Sequence, residues 1–143
     1  MATAESCTGG GIAQTLTDIP GSSSWFDRAF VTYSNESKSQ MLGVPADTIK
    51  GHGAVSQEVV SAMTEGVLAV SSVDWVVAVS GIAGPGGGTV EKPVGTVWFC
   101  WQRRGHEPSA ERMLFVGDRA SIRSQAIDKA LEGLINRLTE LDL

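Results

Sequence analysis

The chain has 143 residues, the length of one domain, which buries roughly two-thirds of the surface of its unfolded form. Its net charge of -5, from 11 basic and 16 acidic residues, argues against a surface for nucleic acid or an anionic membrane. The sequence shows no apolar run near the ~18 residues of a membrane span and no signal peptide, and its two cysteines suggest no disulfide framework, so a cytoplasmic protein is predicted.

The first stretch, ATAESCTGGG, places three potential nucleophiles, Ser6, Cys7 and Thr8, in front of three glycines. Residues 1–4 are predicted to end a short strand that leads into a helix, so these side chains fall on a strand-to-helix turn. Such turns border the ligand crevice of α/β sheets. The backbone N–H groups from Cys7 to Gly10 can form a nest for a phosphate or for the oxyanion of an acyl transfer. A tight turn with a capped helix start explains the pattern equally well.

The second segment, VTYSNESK, joins a predicted strand at 28–34 to a predicted helix. Ser34 or Asn35 caps that helix, which places Lys38 near the positive end of the helix dipole. This position and partial burial both favour the neutral amine, a general base able to activate a serine. Tyr33 is placed to orient the lysine or the substrate. The alternatives are a solvated surface lysine and a tyrosine that only packs.

The middle of the chain contains a predicted helix at 56–71 and a predicted strand at 74–82. The WVVAV run of this strand is apolar on both faces, which is typical of a central strand covered by helices on both sides. The strand leads into the glycine-rich loop GIAGPGGGTVEKPVG, where the backbone can approach a ligand closely. A mobile connection without function is the alternative for this loop.

Two further strands are predicted at 94–102 and 109–116, around a turn at Gly105, so the sheet is expected to be mixed. Helical patterns also lie at about 9–18 and 35–42, in addition to the predicted helix at 56–71. These elements predict an α/β fold, namely a three-layer α/β/α sandwich with a mixed, mostly buried sheet.

The last predicted helix, at 118–139, carries one apolar stripe and is capped by Asp118. Arg119 and Arg123 lie in its first turns, against the preference of the helix dipole. We expect either an anionic ligand or paired carboxylates to compensate for them.

The chain contains only two histidines. His106 lies in a predicted hairpin turn and is expected to be exposed, so a histidine base would have to be His52. No histidine pair or carboxylate cluster predicts a metal site, and no cofactor is predicted.

Taken in order, several segments closely resemble the C-terminal domain of the competence/damage-inducible protein CinA, and the resemblance covers nearly the whole chain: TAESCTGG, GSSSWFDRAFVTYSNESK, GAVS, VSGIAGPGGG, KPVGTVWF and GDR. It implies a homodimeric amidase that hydrolyses a small nucleotide, nicotinamide mononucleotide, to nicotinate mononucleotide and ammonia without a cofactor. Two other functions stay open, a nucleotide-binding regulatory module and a partner-binding domain linked to competence and DNA damage. The absence of a basic face argues against direct contact with DNA.

The resemblance also implies individual roles. Ser6 is the nucleophile, Lys38 is its base and Tyr33 is close by. The implied substrate-binding residues lie in the first turn, at the start of the 80–88 loop and at two further positions: Cys7, Thr8, Gly9, Gly10, Ser80, Gly81, Gly84, Thr96 and Arg119. Family members usually carry a further N-terminal helix and most of a first strand before TAESCTGG, so the resemblance implies one domain over residues 1–143 that lacks those elements.

Overall fold

Five strands form a single sheet in the computed structural model, which describes residues 1–141. The strands are β1 (Ala2–Glu5), β2 (Arg28–Val31), β3 (Trp75–Gly81), β4 (Thr96–Arg103) and β5 (Ser109–Leu114). Their spatial order is β2-β1-β3-β4-β5. β1 pairs in parallel with β2 and β3, whereas β4 is antiparallel to β3 and β5, which confirms the mixed sheet.

Five helices cover the two faces of the sheet: α1 (Gly11–Thr17), α2 (Asn35–Leu42), α3 (Ala46–His52), α4 (Gln57–Val70) and α5 (Arg119–Leu141). Helices α2, α3 and α4 pack on one face, and α1 and α5 pack on the other. The predicted three-layer α/β/α sandwich is therefore confirmed. The WVVAV run lies in β3, the central strand, while the edge strands β2 and β5 are largely exposed. No helix within residues 1–141 is long and apolar enough to cross a membrane.

The sequence pattern missed α3 and overestimated the apolar stripe of α5. α3 buries only Ile49, so it has no apolar periodicity to reveal it. In α5, residues such as Ile122 and Leu134 are buried, but Ile135 and Leu138 near its end are 61% and 40% exposed. The apolar stripe of α5 is therefore buried only in part.

The three parallel strands determine where the site lies. Because β1, β2 and β3 run in the same direction, their carboxyl ends meet at one edge of the sheet. Each strand delivers polar groups to that edge: Ser6 after β1, Thr32 and Tyr33 after β2, and Ser80 near the end of β3. The helix that follows β2 is capped by Ser34, whose Oγ accepts a hydrogen bond from the backbone N–H of Ser37.

Candidate active site

Ser6 and Lys38 meet at this edge of the sheet. Lys38 extends from α2, and its Nζ lies 3.1 Å from the Oγ of Ser6. The same Nζ donates to the backbone carbonyls of Thr32, at 2.9 Å, and Tyr33, at 3.1 Å. The residue is 1% exposed and forms no ion pair with any carboxylate of residues 1–141.

The surroundings of Lys38 favour an uncharged amine. Burial disfavours the ammonium ion and lowers the pKa of Lys38 from the usual value of a lysine. In the neutral amine, two N–H groups suffice for the two carbonyls, and the nitrogen lone pair is left for the hydroxyl of Ser6. The arrangement can therefore transfer a proton from the serine oxygen to the lysine nitrogen.

The main chain holds Ser6 in place. Its N–H donates to the carbonyl of Val79 at 3.1 Å, which extends the pairing of β1 with β3 by one residue. Its hydroxyl also lies 3.3 Å from the carbonyl oxygen of Tyr33. The nucleophile candidate is thus fixed by two neighbouring strands rather than by the loop that follows it.

The other two nucleophile candidates have no base. Cys7 is a buried free cysteine, and burial raises the pKa of its thiol to about 11, so it is protonated near neutral pH. The hydroxyl of Thr8 is buried and donates to Oε1 of Glu5 at 2.7 Å. Of the three adjacent side chains, only that of Ser6 contacts an amine.

Glu5 organises the turn after β1, and the sequence analysis missed it. Its carboxylate is fully buried and accepts four hydrogen bonds, from the hydroxyls of Thr3 and Thr8 and from the backbone N–H groups of Ile12 and Ala13. The last two belong to the first turn of α1, where a negative charge is favoured. The available signal was an acidic residue a few positions before a helix start that lacks a side-chain cap.

The turn itself depends on left-handed glycines. Gly9 and Gly10 have φ angles of 59° and 96°, which side chains other than glycine rarely adopt. The N–H of Gly9 donates to the carbonyl of Ser6 at 3.0 Å, so it is not available for an anion. The N–H groups of Cys7 and Thr8, in contrast, have no backbone acceptor among residues 1–141.

A cavity of about 270 Å³ opens beside Ser6. Most of the predicted site residues line it: Ser6, Cys7, Tyr33, Lys38, Ser80, Gly81, Gly84 and Arg119. Asn35, Ala54 and Val55 also line it and were not predicted. The lining contains two basic side chains, the amine of Lys38 and the guanidinium of Arg119, and no carboxylate, although the chain as a whole is acidic.

Four predicted residues do not line the cavity: Thr8, Gly9, Gly10 and Thr96. The first three form the turn behind Ser6. Thr96 is fully buried, and its hydroxyl donates to the carbonyl of Pro93 at 2.7 Å, so it shapes the end of the glycine-rich loop. Thr96 does not line the cavity in this structure, and its role as a further ligand contact stays a prediction.

Arg119 connects three parts of the cavity rim. Its guanidinium donates to the carbonyl of Gly84 at 2.8 Å and to the hydroxyl of Tyr33 at 3.1 Å. Tyr33 therefore has two separate contacts, since its carbonyl faces Lys38 and its exposed side chain meets Arg119. Arg123, the second arginine of the predicted anion site, does not line the cavity; it binds the carbonyls of Cys7 and Thr8 instead.

No histidine takes part in the site. His52 is exposed and outside the cavity, with Nδ1 3.6 Å from a carboxylate oxygen of Glu58. His106 is exposed in the turn between β4 and β5, as predicted. Within residues 1–141, no three His, Cys, Asp or Glu side chains are close enough to hold a metal ion.

The chain is similar to known proteins over nearly its whole length. The family model described as the CinA C-terminal domain matches residues 1–138. A CinA-like protein of Akkermansia muciniphila is 56% identical over 135 residues, which are 94% of this chain and 33% of that protein. The nicotinamide-nucleotide amidohydrolase PncC of Escherichia coli K12 is 54% identical over 134 residues, which are 94% of this chain and 81% of that protein.

Solved structures share the fold. The crystal structure of the competence damage-inducible protein A (ComA) of Klebsiella pneumoniae has a TM-score of 0.92 and 42% sequence identity, and the match covers 96% of this chain and 85% of that one. The competence/damage inducible protein CihA of Agrobacterium tumefaciens also has a TM-score of 0.92, with 47% identity, over 94% of this chain and 82% of that one.

Proposed function

The chain belongs to the CinA C-terminal domain family, and we propose that it is an amidase that hydrolyses nicotinamide mononucleotide to nicotinate mononucleotide and ammonia. Relatives more than half identical over most of their own length, such as PncC of Escherichia coli, support this activity by their name. The observation that carries the proposal is the contact of Ser6 with a buried lysine that has no carboxylate partner among residues 1–141. The reaction would serve pyridine-nucleotide recycling.

The proposed mechanism uses Lys38 as a proton shuttle. The neutral amine takes the proton of Ser6 while Oγ attacks the carboxamide carbon. The resulting ammonium of Lys38 donates this proton to the amide nitrogen, the bond between that nitrogen and the carboxamide carbon breaks, and ammonia leaves. The acyl-enzyme remains on Ser6. Water then loses a proton to Lys38 and attacks the ester carbon, and the lysine returns the proton to Oγ as the acid is released.

The negative charge of each tetrahedral intermediate needs fixed donors. The backbone N–H of Cys7 is the proposed donor, because Cys7 follows the nucleophile directly and lines the cavity, and this N–H has no backbone acceptor among residues 1–141. Ser80 and Gly81 also line the cavity and are the proposed contacts for the ring carboxamide. Arg119, with Gly84 of the glycine-rich loop beside it, is the proposed contact for the phosphate.

Ammonia release from nicotinamide mononucleotide tests this function, and the two adjacent residues of the turn provide a matched pair. We expect Ser6→Ala to abolish release, because no other hydroxyl of residues 1–141 forms a hydrogen bond with the amine of Lys38. Cys7→Ala should keep most of the activity, since its thiol is protonated near neutral pH. A wild-type protein that binds the nucleotide but releases no ammonia would favour the regulatory module instead, and activity lost only in Cys7→Ala would overturn the Ser-Lys mechanism.

A further inference from the structure

The glycine-rich loop folds back on itself beside the cavity. Three of its glycines line the cavity, namely Gly84, Gly86 and Gly87. A Cβ on Gly84 would lie 2.5 Å from the side chain of Val94, and one on Gly88 would lie 2.7 Å from the backbone nitrogen of the same residue. The first half of the loop therefore packs directly on its second half, so the position of the second half determines where the lining glycines lie.

Lys92, in the second half of the loop, joins it to the end of α3. Its Nζ donates to the carbonyl of His52 at 2.7 Å, across 40 positions of the sequence. His52 is the last residue of α3, where carbonyls lack partners within the helix and a cation is favoured. A Cβ on the next residue, Gly53, would lie 3.1 Å from the same Nζ, so the lysine lies against the backbone just before Ala54.

This contact connects two segments that line the cavity. Ala54 and Val55, directly after it, belong to the lining, as do the glycines of the loop. Among residues 1–141, the bond from Lys92 to His52 is the only hydrogen bond between residues 81–95 and residues 52–56. Without it, the two segments would be joined by van der Waals contacts alone.

The turn that carries Lys92 has hydrogen bonds of its own. The N–H of Lys92 donates to Oγ1 of Thr89 at 3.0 Å, and its carbonyl accepts from the N–H of Thr89 at 2.9 Å. The carbonyl of Glu91 accepts from the guanidinium of Arg112, on β5, at 3.1 Å. The lysine therefore extends from an ordered backbone, and a force on its side chain acts on the whole turn.

We propose that Lys92 is a positioning residue for the nucleotide. Its bond to the carbonyl of His52 holds the glycine-rich loop at a fixed distance from the segment after α3, so the cavity is formed before the ligand enters. Lys92 does not line the cavity and acts through the loop, without touching the substrate. The inference rests on the proposed amidase function, because this cavity is the proposed substrate site.

The kinetic test replaces Lys92 by Met and by Arg and measures ammonia release from nicotinamide mononucleotide. Lys92→Met keeps the apolar stem but removes the donor, so we expect KM to rise roughly three- to ten-fold, the range for one hydrogen bond, with kcat changed little. Lys92→Arg keeps a charged donor and should have a KM close to that of the wild type. An unchanged KM in Lys92→Met, with or without a lower kcat, would overturn the inference.

Lys50→Met is the matched control. Lys50 is an exposed lysine in the last turn of α3 that does not line the cavity, so its replacement removes the same charge near the same helix end. It should leave KM unchanged. If Lys50→Met raises KM as much as Lys92→Met does, the loss of a positive charge explains both results and the contact with His52 has no role.

A second readout does not depend on turnover. Hydrogen exchange at the amides of residues 86–89 should be faster in Lys92→Met than in the wild type and in Lys50→Met, because the N–H of Thr89 is bonded within the turn that Lys92 anchors. The amides of β3 should exchange equally in all three proteins. Equal exchange of the loop in all three would overturn the inference. If the wild type releases no ammonia, the proposed function fails and the inference with it; if the wild type is active and Lys92→Met keeps its KM, the inference alone fails.

Discussion

At the scale of single residues, the proposed role of Lys38 as the base predicts how activity depends on pH. The amine must be neutral to accept the proton of Ser6, and burial lowers its pKa from the ~10.4 of an exposed lysine. We therefore expect kcat/KM to rise with pH through this lowered pKa and then to reach a plateau. Rates measured between pH 5 and 10 on the wild type give the profile.

The arginine variant is the corresponding control. A guanidinium stays protonated at every pH of the assay, so Lys38→Arg should lose nearly all activity and show no rise with pH. An arginine variant with a rate close to that of the wild type would remove Lys38 from the mechanism.

The same pKa also affects stability. Between the lowered pKa in the folded state and ~10.4 in the unfolded chain, the unfolded chain binds more protons at this position, so the stability of the wild type should rise with pH across this window. Lys38→Met lacks this titration. The free energy of unfolding of the wild type relative to Lys38→Met, measured in urea at several pH values, should therefore increase with pH. Parallel curves for the two proteins would contradict a lowered pKa.

At the scale of elements, the contact between α4 and the end of α2 fixes the helix that carries Lys38. A Cβ on Gly66 of α4 would lie 2.0 Å from the carbonyl oxygen of Leu42, which is too close for any residue but glycine. We expect Gly66→Ala to destabilise the protein by roughly 1–3 kcal/mol, the usual cost of overpacking, and to lower activity by displacing α2. Urea unfolding and the ammonia assay measure the two effects.

Gly51 of α3 provides the matched helical glycine. A Cβ there meets no atom within 4 Å, so Gly51→Ala should leave activity unchanged and add up to about 1 kcal/mol of stability through helix propensity. Equal stabilities of the two variants would mean that α4 can move away from α2 at little cost.

These elements also show how far the sequence predicts the fold. β3 and α2 carry clear apolar or capping signals, and they were predicted at 74–82 and 35–42, against Trp75–Gly81 and Asn35–Leu42 in the structure. α3 was missed because a helix with one buried residue has no periodicity. Local patterns predict an element where several of its residues are buried, and they do not predict it where only one residue is buried.

In the candidate site, too, the features with a local sequence pattern were predicted and those without one were not. The capped start of α2 predicted an unusual environment for Lys38, and the structure brings its Nζ to Ser6; the catalytic roles of both stay predictions. The contacts of Arg123 with the turn could not be predicted, because they join residues more than a hundred positions apart and leave no local pattern. The hydroxyl of Thr96 binds a carbonyl only three residues away in its own loop, and its role as a ligand contact stays a prediction.

At the scale of the whole molecule, the charge of the cavity opposes that of the chain. The net charge is -5, yet the cavity lining has the guanidinium of Arg119, the amine of Lys38 and no carboxylate. An anionic ligand is therefore repelled by the molecule at long range, where salt screens the charges, and attracted within the cavity, where screening is weaker. The riboside lacks the phosphate of the mononucleotide. Selectivity for the mononucleotide over the riboside therefore has to come from local contacts with the phosphate.

Arg119 is the side chain best placed for that contact. It lies at the start of α5, where the N–H groups of the helix add to the positive field, and its guanidinium can bind phosphate oxygens in a fork. A charge-assisted hydrogen bond contributes about 1.5–3 kcal/mol, so Arg119→Ala should lower kcat/KM for the mononucleotide roughly ten- to a hundred-fold and for the riboside far less.

Tyr33→Phe is the control, since it removes the hydroxyl partner of Arg119 but leaves the guanidinium. Equal losses on both substrates in Arg119→Ala would assign Arg119 to the integrity of the rim, through Gly84 and Tyr33, and the phosphate contact to the glycine-rich loop.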